Sequence, residues 1–496
     1  MSRHESHQLQ SVDSPQTGRT EVEIDQVMLS EGSPPRFQDD SYKRKACVLT
    51  GSCLLQLPIW GFSMSYGIFQ EYYSNSWPLS GSNGGTGVIG TTSNGVIYLS
   101  MPILFSALST RHARLRYSIA IIGVVLTALS FLLSSYSNKV WQLILTQGVL
   151  AAFGSALLYS PTTLYLGETF TSNHRAVAYG VVLSSKNIVG SACPFLLQTL
   201  LDQYGLRITM QIWTGIVTLS SLLSLFLFLF PLSHLSTTTH PSQPHHPRRT
   251  AWSFLHHRTI YIYSVATLVQ SSGYGIPQTY LPLYAHSTTH LSRTMATLML
   301  TLFSIPGIVS SSFFGYLSDN PYLPCSASTV TFISSASSGL AVFLLWGLAP
   351  ASSTSSASSS MPLLLVFSLI FGFFASAYSA TWGAVIKQME REAADRNEAV
   401  DPGVVYGLLN GARGVGYVMG GLVGVPLLKS STSGIGSRGG YATEYGALIV
   451  FTGLCLVFGG WSVVWRWRWR LGSKWMVGKW KKGNMNANFR VLTCQR

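Results

Sequence analysis

Runs of 18 to 28 apolar or small residues recur along the chain, parted by short polar stretches. About 20 residues of helix cross a bilayer core. The pattern therefore predicts twelve membrane-spanning segments, near 46–70, 86–108, 117–136, 140–166, 176–200, 208–231, 260–284, 294–316, 328–349, 361–386, 404–428 and 444–465. A polar break rich in Pro, Ser, Thr and His, "LSHLSTTTHPSQPHHPRRTAWSFLHH" at 232–257, falls after the sixth. The expected layout is a disordered tail over 1–45, a six-helix bundle over 46–231, a linker over 232–259, a second six-helix bundle over 260–465 and a basic tail over 466–496.

The two halves repeat each other. "YGIFQEYY" from Tyr66 in segment 1 matches "YGIPQTYL" from Tyr274 in segment 7, and Ala107-Leu-Ser after segment 2 matches Tyr316-Leu-Ser after segment 8. "QGVLAAFGSA" from Gln147 matches "FGFFASAYSA" from Phe371, and "YGVVLSSKNIV" from Tyr179 matches "YGLLNGARGVG" from Tyr406. The offsets of 208, 209, 224 and 227 residues drift only as loop lengths would. In the last pair, Lys186 and Arg413 each follow a Tyr-Gly by the same spacing, deep inside segments 5 and 11. A cation at that depth costs several kcal/mol in lipid and needs a reason to be there.

Composition narrows the class. The chain is 496 residues long, 47% hydrophobic and only 10% charged, with a mean hydropathy of +0.29. Soluble proteins carry about 25% charged residues. An all-α polytopic membrane protein is the expected fold class. The net charge of +14 follows membrane topology: with both termini in the cytosol, 25 of the 32 Lys and Arg fall on cytosolic segments, five outside and two within spans. Nucleic acid is not an expected partner. The first 41 residues carry eight acids and no apolar stretch of the kind a cleaved leader has, so the first span is expected to direct insertion. The tail "WRWRWRLGSKWMVGKWKK" (465–482) reads as an interfacial anchor on anionic lipid.

Six scattered cysteines indicate neither a disulfide framework nor a metal site, and the His-rich linker lacks metal-ligand spacing. No phosphate-binding Gly-Lys-Ser/Thr loop, HExxH or GxSxG motif occurs, so no cofactor and no enzymatic chemistry is expected.

Taken with these motifs, the chain resembles a major facilitator superfamily transporter, twelve helices in two pseudo-symmetric six-helix bundles. The superfamily's loop motif survives after segment 8 as Gly315-Tyr-Leu-Ser-Asp319; its counterpart, "STRHARLR" from Ser109, keeps the basic residues without the Gly and Asp. Within the superfamily it most resembles the fungal branch of the monocarboxylate-porter family, through "GFSMSYGIFQEYY" (61–73), "IGTTSNGVIYLSMP" (89–102), "QGVLAAFGSALLYSPTTLYLGETF" (147–170), "RAVAYGVVLSSKNIVGSACPF" (175–195) and "GLLNGARGVG" (407–416). Animal members of that family pair a basic residue in span 1 with an Asp and an Arg in span 8. Here segment 1 has no basic residue and segment 8 no charge before Asp319. The resemblance implies the fold and not the substrate.

On segment 11, Tyr406, Asn410, Arg413 and Tyr417 share one helical face beside a seam of Gly407, Gly411, Gly414 and Gly421. That face offers a cation, an amide and two phenols, and a guanidinium grips a carboxylate with two parallel hydrogen bonds. The competing reading ties Arg413 to backbone carbonyls at a helix interface. Lys186, flanked by Ser184, Ser185 and Asn187, either binds an anion or pairs structurally. Tyr66 and Gln278, with Gln70 and Tyr280, are candidate wall groups, because the prolines and glycines of "SSGYGIPQTYLPLY" are expected to break segment 7 beside a cavity. Glu71 is a candidate proton carrier, with a solvated helix-end acid as the plainer reading. Glu168 (near Arg111, Arg114, Arg116 and Arg175) and Asp319 are candidate gating acids.

Two membrane-embedded cations and few acids point to a secondary transporter of a small organic anion, a monocarboxylate first, with proton coupling as an option. Export of a larger, more apolar fungal metabolite is the alternative, and a non-transporting sensor a further one. The plasma membrane is the expected location, with a vacuolar membrane sharing the same logic.

Overall fold

The structure is a computed structural model that describes residues 35–75, 86–111, 113–170, 172–233, 255–287, 291–319, 326–349, 357–398, 400–430 and 439–467. Helices dominate, and no strand occurs among the described residues. In chain order they are α1 (Pro35–Leu54), α2 (Gln56–Met64), α3 (Tyr66–Asn75), α4 (Gly87–Ser106), α5 (Arg116–Ser134), α6 (Val140–Leu143), α7 (Ala151–Thr169), α8 (Ser172–Ser233), α9 (Arg258–Ser287), α10 (Arg293–Asp319), α11 (Ala327–Ala341), α12 (Ala357–Ala380), α13 (Trp382–Ala394), α14 (Pro402–Ser430) and α15 (Gly446–Phe458). Wider π turns over Ile144–Leu150 and Val342–Trp346 join α6 to α7 and prolong α11.

Ten helical stretches among the described residues are long and apolar enough to cross a membrane. One of them, Val177–Phe228, has 52 residues, twice a span, and so supplies segments 5 and 6. The chain turns within it at Gly205, where φ of 69° and ψ of 177° suit only a residue without a Cβ. Segment 7 is α9, 30 residues long, whose prolines, glutamines and hydroxyls keep it less apolar than the rest. The total is twelve spans. Large apolar side chains such as Ile122, Val125, Leu219 and Leu222 stay exposed on the outer faces, as lipid-facing surfaces require.

Two expectations are corrected. The helix of segment 1 begins at Pro35, inside the stretch read as a tail, where proline's fixed φ suits a first helical turn. The remainder of the tail, like the basic tail beyond 467 and linker residues 234–254, lies outside the described residues. Segment 7 is not broken: α9 runs through Pro277 and Pro282. Membrane helices tolerate proline where neighbours cover the freed carbonyls, and α3 lies against the Gln278 carbonyl through Gly67, where an added Cβ would come within 3.1 Å of that oxygen. The irregular span is segment 1. It parts at Leu55 and Ser65, and around Ser65 the hydrogen bonds tighten to three-residue spacing, Ser65 N–H to Phe62 O and Ile68 N–H to Ser65 O, both 3.1 Å.

The halves meet along two pairs of helices related by the repeat, α4 with α14 and the first part of α8 with α10. The α4–α14 contact is a glycine seam: a Cβ on Gly414 would sit 2.7 Å from the Leu99 backbone nitrogen. The α8–α10 contact is a zipper of hydroxyls. Ser184 Oγ donates to Ile308 O at 2.6 Å and lies 2.9 Å from Ser312 Oγ, Asn187 Nδ2 donates to Ser311 Oγ at 3.1 Å, and Thr301 Oγ1 donates to Ser191 O at 3.1 Å. Both contacts bring the middle of the halves within side-chain reach of each other.

Candidate functional site

Lys186 and Arg413, on α8 and α14, converge on the same residue, Tyr98 of α4. Lys186 Nζ donates to Tyr98 Oη at 3.2 Å and lies 3.7 Å from the centre of the Trp60 ring. The Arg413 guanidinium carbon lies 5.1 Å from the ring centres of Tyr98 and Tyr274 and 5.8 Å from those of Trp382 and Tyr417. The rings brace one another: Tyr98 stacks on Tyr417 at 5.6 Å, Tyr274 meets Tyr417 edge-on at 6.2 Å, and Trp60 lies 5.1 Å from Tyr98. Five aromatic side chains from five helices thus form a cage around two cations. Ring faces are negative, so they stabilise a cation without neutralising it. Among the described residues no carboxylate forms an ion pair with either Lys186 or Arg413.

The two cations differ in access. Arg413 is 5% exposed and its Nε has no hydrogen-bond partner, whereas Lys186 is only half-buried. The seam explains the burial of Arg413, since glycines at 411 and 414 draw α14 against Pro102 and Leu99 and leave its cation no outward path.

Of the other candidates on α14, Tyr417 belongs to the cage. Tyr406 stands one layer further, toward the end of the bundle that carries Glu168. Its ring stacks on its repeat counterpart Tyr179 at 5.3 Å and meets Trp382 edge-on at 5.7 Å, and its hydroxyl lies 3.1 Å from that of Tyr159. Asn410 is committed locally, with Nδ2 donating to Tyr406 O at 2.8 Å. Two small cavities flank the cage, one lined by Thr91, Tyr280 and Tyr417, the other by Gln56, Tyr159 and Tyr406. Each is about 10 Å³, roughly the room one water needs.

Tyr66 and Gln278 do not join the cage contacts. The Tyr66 hydroxyl donates to Thr86 O, its ring packs on Phe62 at 6.0 Å, and Gln278 is buried where α9 meets α3. Tyr274, the repeat counterpart of Tyr66, is the one that faces Arg413. Glu71 is not a solvated helix-end acid: it is 5% exposed and lines a small cavity with Gln198 and Asp202. Glu168 pairs within its own half. Arg116, buried at the start of α5, donates to its two carboxylate oxygens at 2.7 and 2.8 Å and to Leu108 O at 2.8 Å. The Asp319 side chain lies outside the described residues. His257, read as part of a soluble linker, is 1% exposed, with Nε2 2.9 Å from Glu398.

Twelve spans in two repeats, joined by two symmetry-related helix pairs around a pair of cations near mid-chain depth, define a multi-pass membrane carrier. The family model described as Major Facilitator Superfamily matches residues 48–420, and the chain belongs to that superfamily. It is similar to the MFS-type transporter pynF of Aspergillus niger, 25% identical over 404 residues covering 81% of this chain and 84% of that protein. It is also similar to MFS-type transporter 1 of Ophiocordyceps sp. (24% identical, 74% and 76% covered) and to Monocarboxylate transporter 13 of Rattus norvegicus (29% identical, 65% and 68% covered). The protein is a transporter of small molecules and not an enzyme.

Proposed function

We propose that this transporter carries a small organic anion, a monocarboxylate as the leading class, by alternating access of its two halves around Lys186 and Arg413. The observation that carries this reading is the convergence of two repeat-related cations on one phenol, with no carboxylate among the described residues paired to either. A substrate carboxylate would take the place of Tyr98 Oη on Lys186 and meet the fork of Arg413, while the rings of Trp60, Tyr98 and Tyr417 cover its apolar body. Glu71, buried in the first half, is the carboxyl we assign to proton coupling. The Arg116–Glu168 pair and Asp319 are assigned to holding the Glu168 end in each access state. The excess of basic residues on one face favours both termini cytosolic, in a plasma or a vacuolar membrane, and the basic tail against anionic lipid.

A second reading has one observation in its favour. The cage is built mostly of flat aromatic surface, and segment 8 brings no charge to it, which suits export of a larger, more apolar metabolite.

Uptake of labelled lactate, pyruvate, acetate, a dicarboxylate and an apolar polyketide acid into proteoliposomes, at several pH gradients, separates these readings. Monocarboxylate uptake abolished by Lys186→Gln or Arg413→Gln in folded protein supports the first. Indifference to monocarboxylates, or normal transport by both variants, removes it. Any labelled exchange excludes a non-transporting sensor.

A further inference from the structure

Away from the cage, at the end of the second half where α9 and α11 begin and α13 ends, lies a cavity of about 590 Å³. That is the size of a small-molecule site, and neither the transport reading nor any repeat motif uses it. Its wall carries three arginines from three parts of the chain, Arg258, Arg396 and Arg466. None of the three forms an ion pair with a described carboxylate.

The acids nearby are already engaged. Glu392 accepts from Thr259 Oγ1 at 2.7 Å and from Gln388 Nε2 at 2.8 Å, and Glu398 lies 2.9 Å from His257 Nε2. Asp395 is the remaining lining acid, exposed at the rim. Two buried polar groups in the wall lack a hydrogen-bond partner: Ser462 Oγ, on a residue 2% exposed, and His257 Nδ1, on a residue 1% exposed, whose closest carboxylate oxygen is 3.7 Å away on Glu392. Buried hydroxyls without partners are rare in folded proteins and call for an occupant. Beside them, Ile262, Tyr263 and Trp465 offer an apolar floor.

We propose that this cavity binds a phosphate ester anion, its phosphate held between the three guanidiniums and Ser462 and its remainder lying on Tyr263 and Trp465. Guanidiniums in number favour phosphate, whose three oxygens accept several forked pairs at once. Occupancy ties together the ends of α9, α11, α13 and the helical turns after α15, all within the second half. The site therefore regulates the rigidity of that half and takes no part in substrate recognition at Lys186 and Arg413.

The test uses the purified full chain in detergent, with thermal unfolding followed against three probes: sodium phosphate, glycerol 3-phosphate and dioctanoyl phosphatidic acid. Sodium sulfate and sodium chloride at equal ionic strength, and dioctanoylglycerol, serve as controls. Phosphate-bearing probes are expected to raise the midpoint in a saturable way. The Arg258→Gln/Arg396→Gln/Arg466→Gln variant should lose that response, and Ser462→Ala should weaken apparent affinity by about fivefold, the effect of one lost hydrogen bond. Response to phosphatidic acid alone assigns the phosphate to a lipid headgroup, and response to glycerol 3-phosphate assigns it to a soluble ester. Should the triple variant fail to fold, Arg466→Gln with Ser462→Ala is the substitute pair. A wild type that ignores all three probes, or variants that respond as the wild type does, overturns the proposal.

Discussion

Lys186 and Arg413 occupy the same place in two copies of one sequence pattern, yet their surroundings differ. Lys186 keeps part of its surface open and rests on the Trp60 face, with the Tyr98 ring centre 5.9 Å away and its hydroxyl at 3.2 Å. Arg413 is enclosed by four rings, with a nitrogen that bonds to nothing. The difference comes from the helices that carry them. The hydroxyl zipper beside Lys186 holds α8 and α10 together by polar side chains that bond to the facing helix, with Gly180 set against the backbone of Ser311 and Ser312. The glycine seam beside Arg413 brings α4 and α14 close enough to shut the space. Pseudo-symmetry set the positions of the two charges, and the packing partner set how each can be used.

The comparison breaks most clearly at Arg413. Truncating a buried charged partner costs about 2–5 kcal/mol of recognition, so Arg413→Gln is expected to reduce anion uptake by about thirtyfold or more. Because no described carboxylate is left unpaired by the change, and a buried cation is itself costly, the thermal midpoint should hold or rise. A large fall in midpoint would instead make Arg413 a structural tie.

Lys186→Gln should weaken apparent substrate affinity by about tenfold to a hundredfold, with maximal rate less affected, as initial uptake rates against substrate concentration will tell. Equal losses in both variants would mean that the two cations act as a unit despite their different enclosure.

Gly414→Ala places a methyl 2.7 Å from the Leu99 nitrogen and 3.0 Å from its Cγ. Overpacking of this kind costs about 1–3 kcal/mol, readable as a lower thermal midpoint. Ser184→Ala across the zipper removes one hydrogen-bonded hydroxyl and should cost only about 1 kcal/mol. Similar losses at the two positions would contradict the contrast between seam and zipper.

The smallest effect is expected from Tyr98→Phe, which deletes the hydroxyl on Lys186 and keeps the ring against Arg413. Because that hydroxyl gives way to the substrate on Lys186, affinity should rise by about fivefold, close to the worth of one hydrogen bond, and a rise of that kind would separate the two functions of that ring.

The twelve spans, the repeat and both cations were legible because each rests on spacing along one helix or on comparison of two stretches of chain. The rest of the cage, Tyr417 on the face of Arg413 apart, was not. Trp60, Tyr98, Tyr274 and Trp382 come from α2, α4, α9 and the start of α13, and only tertiary packing brings them to two residues on α8 and α14. Tyr66 and Tyr274 open the same repeated motif, but one bonds to Thr86 and the other faces Arg413, so the motif could not tell them apart. The proline-rich α9 stayed continuous while segment 1, without a comparable cluster, parted at Ser65, because neighbouring helices decide whether a freed carbonyl is tolerated. Glu168 was recognisable as an ion-pair acid. Its partner, one of four nearby arginines, was fixed only by where the start of α5 lies.

Among the described residues no carboxylate pairs with Lys186 or Arg413, and that has an electrical consequence. A carrier whose resting site holds unneutralised cations is itself a gating particle: each change of access sweeps that fixed charge through part of the transmembrane field, at about 2.3 kcal/mol per full charge per 100 mV. The anion proposed as cargo would cancel part of it. Membrane voltage should therefore bias the empty protein more than the loaded one, favouring one-for-one exchange over net flux whenever the membrane is polarised.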